Sequence, residues 1–233
     1  MARSGGRGAR RRPVAAPSTP RRRPKTAAVS VTEAAAEEPR AFTLGVVPGA
    51  TPGKWIGVWR DRLPHVALEL REIAVAEQRR AIGEVDAALV RLPLAERDDL
   101  HVIALYDEVP VVVMSADSTL TAADELDLAD LAGEVVIVPS DDVLGVQVAD
   151  AVAPAFAPPT DTAEAIETVA TGIGVVIVPM SLARAHHRRD VEYRVLRDGP
   201  VSTVALAWER ERTTPDVEAF VGIVRGRTAR SSR

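Results

Sequence analysis

FTLGVVPGATPGKWIGVWRDRLPHVALELREIAVAEQRRAIGEVDAALVRLP, residues 42–93, reads as strand, helix, strand, helix, strand, and that alternation decides the fold. Phe42–Val47 is a short apolar run stopped by Pro48-Gly49, the pattern of a buried strand entering a turn. Pro52 suits the first turn of a helix, where its missing N–H costs nothing. Trp55, Val58, Trp59 and Leu63 follow at three- and four-residue spacing, an apolar stripe on a helix running to about Leu63. Val66–Ile73 alternates apolar and polar residues as a second strand does. Ala74–Ile82 is expected to be a helix stopped by Gly83, and Asp86–Leu92 a third strand stopped by Pro93. Such alternation implies a parallel sheet with helices on its faces.

The same grammar restarts downstream. Val135–Val138 is a strand ended by Pro139, with a helix expected from Asp141. Thr162–Ala170 is a helix capped by Asp161 or Thr162, with Glu164 in its first turn. Gly172 and Gly174 let that helix turn directly into the strand Val175–Val178, which Pro179 ends. Two apolar strands, Val102–Leu105 and Val109–Met114, lie between the halves, and the chain returns through Val201–Trp208 to a final helix, Pro215–Val224. The expected fold class is therefore α/β, with two Rossmann-like lobes joined by crossover strands. Residues 41–114 and 198–226 are expected to form the first lobe and 115–197 the second, between tails at 1–40 and 227–233.

Three segments carry a family resemblance over about residues 42–224. Gly83-Glu84-Val85-Asp86-Ala87-Ala88-Leu89 leads into the third strand. Val169-Ala170-Thr171-Gly172-Ile173-Gly174 with Val175–Pro179 joins helix to strand. Leu128–Gly133 (LADLAG) forms a helical turn before the second half. In order and spacing they resemble the effector-binding (substrate-binding) domain of LysR-type transcriptional regulators, a type 2 periplasmic-binding-protein fold. The resemblance implies transcription regulation, an effector held between the lobes, and homodimers that pair through the first helix and one from the second lobe. Trp55 and Trp59 lie on that first helix and serve either its core packing or this pairing. The Gly172-x-Gly174 pair is not a dinucleotide fingerprint, because it follows a helix, precedes a strand and has Ile177 where the third glycine belongs.

Composition narrows the function classes. The chain of 233 residues has 29 Lys+Arg against 33 Asp+Glu, and 46% of it is apolar, enough for a sizeable core. Nine of the basic residues and no acidic one fall in residues 1–26, so the rest of the chain is strongly acidic, a poor surface for nucleic acid. No cysteine is present, which excludes disulfides, thiolate metal sites and cysteine nucleophiles. Only eight aromatic residues argue against base-stacking platforms. No run of 18 apolar residues exists, and the Arg-rich start lacks the apolar stretch of a secretory signal, so a cytoplasmic protein with no membrane partner is expected.

Residues 1–40 hold five prolines, three glycines and two clusters, Arg10-Arg11-Arg12 and Arg21-Arg22-Arg23. This composition suits a solvated, disordered tail, or an arm that contacts DNA phosphates non-specifically. It does not suit the winged helix-turn-helix and linker helix with which full-length members of the resembled family begin. Action on transcription is therefore expected through the arm, a partner, or sequestration of ligand.

Catalysis is not expected. His65 and His101 read as surface or packing residues. His186 and His187 are adjacent on a helix, point about 100° apart and cannot grip one metal well. Ser181 reads as a helix N-cap, and Arg184–Arg189 (RAHHRR) as a solvated basic face. No nucleophile elbow, Walker loop, metalloprotease motif or EF-hand loop occurs, and Asp98-Asp99 or Asp141-Asp142 offers too few ligands for calcium. Neither metal nor cofactor is expected.

Ligands of doubly wound sheets bind beyond the carboxyl ends of the strands. The candidate residues are Gly49, Ala50 and Thr51 after the first strand and Arg91 at the end of the third. Pro139, Ser140, Asp142 and Thr160 are their counterparts in the second lobe. Arg91 is expected either to fork a ligand carboxylate or to be a surface arginine paired with an Asp or Glu. With two helix N-termini nearby, an acidic small molecule is the expected ligand. Competing readings are a transport-type solute receptor and a nucleic-acid-associated protein that uses the arginine arm with Arg225, Arg227, Arg230 and Arg233.

Overall fold

Phe42 and Leu44 alternate inward along strand β1, Arg40–Val46, and the first sheet assembles around it in a computed structural model that describes residues 40–226. Both arginine clusters, the expected arm and the C-terminal tail, residues 227–233, lie outside the described residues. Strand β2, Val66–Glu72, pairs with β1 in parallel, as does β3, Ala87–Arg91. Strand β4, Leu100–Glu108, and β10, Ser202–Glu209, complete the order β2-β1-β3-β10-β4. The sheet is mixed, since β10 runs antiparallel to both β3 and β4. Antiparallel pairing follows from β10 being the chain's return from the second lobe.

Helix α1, Gly53–Arg62, and helix α5, Pro215–Val224, place the largest apolar side chains against this sheet. The rings of Phe42, Trp59 and Phe220 sit 4.7 to 5.8 Å apart, the separation at which tilted aromatic pairs attract. The buried Trp59 indole N–H donates to the Val66 carbonyl at 3.0 Å, so its polar atom is satisfied. Thr214 caps α5 by accepting from the Val217 N–H, and Pro215 occupies its first turn.

The second sheet has the order β6-β9-β5-β8-β7. Strand β5, Pro110–Ser115, lies at its centre between β8, Val175–Pro179, and β9, Val191–Leu196, antiparallel to both. Two-residue strands, β6 at Glu125–Leu126 and β7 at Val136–Ile137, form the edges. Helix α3, Thr162–Ala170, starts at Asp161, whose side chain accepts from the Glu164 N–H. Helix α4, Met180–Ala185, follows β8 directly. The core divides into two apolar layers, one around Val113, Ile166 and Val178 and one around Val112, Leu131 and Ile177.

Several expectations are corrected. The chain changes lobe at Val109, so β5 belongs to the second sheet and the first lobe ends before Pro110 rather than at 114. The helix expected over 74–82 is a 3-10 turn at Val75–Glu77, one turn of α-helix, α2, at Gln78–Ala81, and a further 3-10 turn at Ile82–Glu84. The helix expected from Asp141 is absent. The Asp142 carboxylate accepts instead from the Leu144 and Gly145 N–H groups, a local turn that competes with helix formation. Strand β9 was not among the expected elements, although Val191-Glu192-Tyr193-Arg194-Val195 alternates apolar and charged residues as β2 does. The Leu128–Leu131 segment is a 3-10 turn with a reciprocal Asp127–Asp130 capping box.

Candidate functional site

A cleft of about 660 Å³ lies where the chain crosses between the sheets. Gly49, Ala50 and Thr51, beyond the end of β1, form one wall, and Tyr106–Val109, at the end of β4, form the base. Met180, Ser181, Arg184 and Ala185 of α4 close it from the second lobe. The register of β4 against β10 slips between Ala104 and Tyr106, a bulge at Leu105 immediately before the residues that face the cleft. A hollow of about 720 Å³ runs beside α5 and the end of α1, but only first-lobe elements line it and it contains none of the expected ligand residues.

Arg91 is placed differently from expectation. Strand β3 is buried along its whole length, and the Arg91 side chain is only 2% exposed. Its guanidinium pairs with Glu108 at 2.7 Å and donates to the Ser202 hydroxyl at 2.8 Å, the Pro48 carbonyl at 3.1 Å and the Ser181 hydroxyl at 3.2 Å. Gln78 fixes its backbone reciprocally, donating to the Arg91 carbonyl at 2.8 Å and accepting its N–H at 2.9 Å. Neither reading offered for Arg91 describes this in full: it pairs with an acid of the protein, as the second had it, but buried rather than on the surface. Its Nε has no hydrogen-bond partner among the described residues, so the network is incomplete at that atom.

Ser181 is not an N-cap. The N-cap residue of α4 is Pro179, which offers no side-chain cap, and the Ser181 hydroxyl donates to Glu108 at 2.8 Å while accepting from Arg91. It is therefore the second-lobe member of a network otherwise made from the first lobe. Gly49 permits the approach. Its φ is +82°, and a Cβ there would stand 2.5 Å from the Ser181 hydroxyl oxygen and 2.9 Å from an Arg91 nitrogen.

The other expected residues separate into two groups. Gly49, Ala50 and Thr51 line the cleft. Pro139, Ser140, Asp142 and Thr160 do not. The Ser140 N–H and hydroxyl both donate to the Pro159 carbonyl, and Pro139 and Asp142 line a separate small hollow beside Val146 and Ile177. The Thr160 N–H and hydroxyl both donate to Glu164, which holds that carboxyl below its ordinary range. Tyr106, Glu108, Ser181 and Arg184 were missed. The only signal for Arg184 was its place in a basic run, and nothing local marks Glu108 or Tyr106.

Electrostatically, the cleft holds one compensated pair beside an exposed cation and an exposed carboxylate, Asp107 at the base, which accepts from the Thr203 hydroxyl and forms no ion pair among the described residues. Arg91 balances Glu108, while Arg184 is exposed at the wall and forms no ion pair among the described residues. Burial raises the Tyr106 phenol above its ordinary value and the Glu108 charge adds to this, whereas Arg91 and the Thr51 backbone oppose it. Among the described residues, no cluster of three His, Cys, Asp or Glu side chains is arranged to hold a metal, and no helix is long and apolar enough to cross a membrane.

Comparison with known proteins places this geometry in a family. The chain is 27% identical over 208 residues to the Hca operon transcriptional activator HcaR of Escherichia coli, covering 83% of this chain and 70% of HcaR. It is 32% identical over 181 residues to the HTH-type transcriptional regulator CatR of Pseudomonas putida, covering 69% of this chain and 58% of CatR. The solved BenM effector-binding domain with its effector benzoate superposes with a TM-score of 0.65 at 19% identity, over 82% of this chain and 93% of that one, a likeness of fold. The family model for the LysR substrate binding domain matches residues 35–229. The two sheets, the crossover between them and this match together show that the chain belongs to the LysR substrate-binding-domain family.

Proposed function

We propose that the cleft between Thr51 and Arg184 is the effector site of a LysR-type regulatory domain acting in transcription control, and that its effector is a small acid. The observation that carries this reading is Arg184, an exposed cation on the second-lobe wall of an interlobe cleft whose one buried pair, Arg91 with Glu108, is already closed and whose exposed carboxylate, Asp107, lies on β4 at the base. A ligand carboxylate supplies the missing counter-charge, and the exposed Thr51 hydroxyl offers a neutral donor nearby. Tyr106, Met180 and Ala185 give the cleft apolar surface for a ring or short chain. HcaR and CatR are transcriptional regulators and benzoate is the effector of BenM, which supports the same reading. No catalytic residue is assigned, and the protein acts by binding.

A thermal-shift panel of small carboxylates, amino acids and aromatic acids on the full chain tests it. A ligand bound only by the native state at 100 times its Kd adds about 2.7 kcal/mol, a readily measured rise in Tm. Arg184→Ala is expected to weaken the hit about tenfold, the scale of one charge-assisted hydrogen bond at a partly exposed site. Full affinity in that variant removes Arg184 from the site. The reading extends to a homodimer through α1, whose Trp55 and Val58 remain only partly buried against the first core. A monomer mass at micromolar concentration counts against that extension.

A further inference from the structure

We infer, on the basis of the effector reading above, that Glu108 makes the cleft select acids that also carry a hydrogen-bond donor, such as hydroxy- or amino-substituted carboxylates. Glu108 is only 9% exposed, and both of its hydrogen bonds, from Arg91 and from Ser181, converge on one oxygen, Oε2. The second oxygen, Oε1, accepts nothing from the described residues, yet it is not among the fully buried unsatisfied atoms. Since Glu108 lines the cleft, Oε1 is the carboxylate oxygen left open to it.

The chemistry of that opening is restrictive. The Glu108 carboxylate, paired with Arg91 through Oε2, offers Oε1 as an acceptor, and a ligand placing an apolar edge or another carboxylate there leaves that nearly buried oxygen without a partner. Ser181 gives no relief, because its single proton is already donated to Oε2. The two polar ends of the cleft therefore ask for opposite chemistry. Arg184 takes an acceptor, and Glu108 takes an N–H or O–H. A site that hydrogen-bonds a ligand donor discriminates sharply against the analogue lacking it.

Matched probes test this on the full chain. Benzoate is titrated beside the three hydroxybenzoates, the three aminobenzoates and 4-methoxybenzoate. At least one hydroxy or amino isomer is expected to bind roughly tenfold or more tightly than benzoate, the effect of a hydrogen bond to a charged group. Glu108→Gln supplies a second arm. Its amide oxygen stays with Arg91 and Ser181 and its NH2 turns to the cleft, so the donor-bearing isomers lose their advantage and the methoxy acid gains. Where that variant does not fold, the wild-type probe ratios decide alone. Equal affinity for benzoate and all six donor-bearing isomers overturns the inference and leaves the acid-effector reading intact. Absence of binding by every acid, including those of the wider panel, overturns that reading and the inference with it.

Discussion

The corners that follow β1 and β7 begin alike in sequence and end as opposites. Val47-Pro48-Gly49 and Val138-Pro139-Ser140 each close an apolar strand with proline and a small residue. The first corner leads into α1 and leaves Gly49, Ala50 and Thr51 facing the cleft, with the Pro48 carbonyl drawn into the Arg91 network. The second turns upon itself. Ser140 is held by Pro159, Asp142 by the amides of Leu144 and Gly145, and Thr162 donates to Asp141 at 2.9 Å. A loop whose polar groups are satisfied locally has no donor or acceptor to spare for a ligand, whereas a corner facing another lobe has.

The sharpest way to break this comparison is to remove the charge that ties the first corner to the second lobe. Arg91→Met is expected to destabilise the fold by about 3–5 kcal/mol in urea, because it strands a nearly buried Glu108 carboxylate. The double variant Arg91→Met with Glu108→Leu is expected to regain most of that loss. A single variant as stable as wild type shows that the pair is not desolvated.

Next in size is a glycine test at both corners. Gly49 and Gly145 both have positive φ, but a Cβ at Gly145 meets nothing within 4 Å. Gly145→Ala is expected to cost about 1 kcal/mol, the mild end of left-handed strain. Gly49→Ala is expected to cost up to about 3 kcal/mol and to weaken acid binding, since Ser181 must also move. Equal losses at the two positions mean that the Ser181 contact yields freely.

Asp142→Ala is a smaller perturbation, about 0.5–1 kcal/mol from the lost turn hydrogen bonds, with ligand affinity unchanged. A large loss of affinity returns the second corner to the site. The smallest effect concerns Tyr106. Its phenol holds its proton more tightly folded than unfolded, so this contribution is full below the ordinary value of 10.0 and is lost as pH rises through the folded value. Between pH 8 and 11 the wild type is therefore expected to lose more stability than Tyr106→Phe, and parallel curves place the phenol in water.

Much of the fold was legible because it is written in local periodicity and punctuation. Helix α3 with Asp161 as its cap, helix α5 with Pro215 in its first turn, and the Gly172-x-Gly174 entry to β8 coincide with the residues that signal them. The site was less legible. The pairing of Arg91 with Glu108 joins positions 17 apart, and the Ser181 contact joins positions 90 apart, distances at which no period operates. Ser181 looked like a cap because serine after a strand and before a leucine usually is one, and an acid 73 positions away in the chain leaves no local trace.

The sequence alone determined two α/β lobes, a crossover, the family and the exclusion of thiol chemistry, because each rests on residue types and near-neighbour spacing. Only the tertiary structure decided which corner opens on the cleft, that Arg91 is consumed internally, and that Arg184 and the free oxygen of Glu108 remain. Whether a charge is available to a ligand depends on what else reaches it, and that is set when distant strands meet at one crossing point.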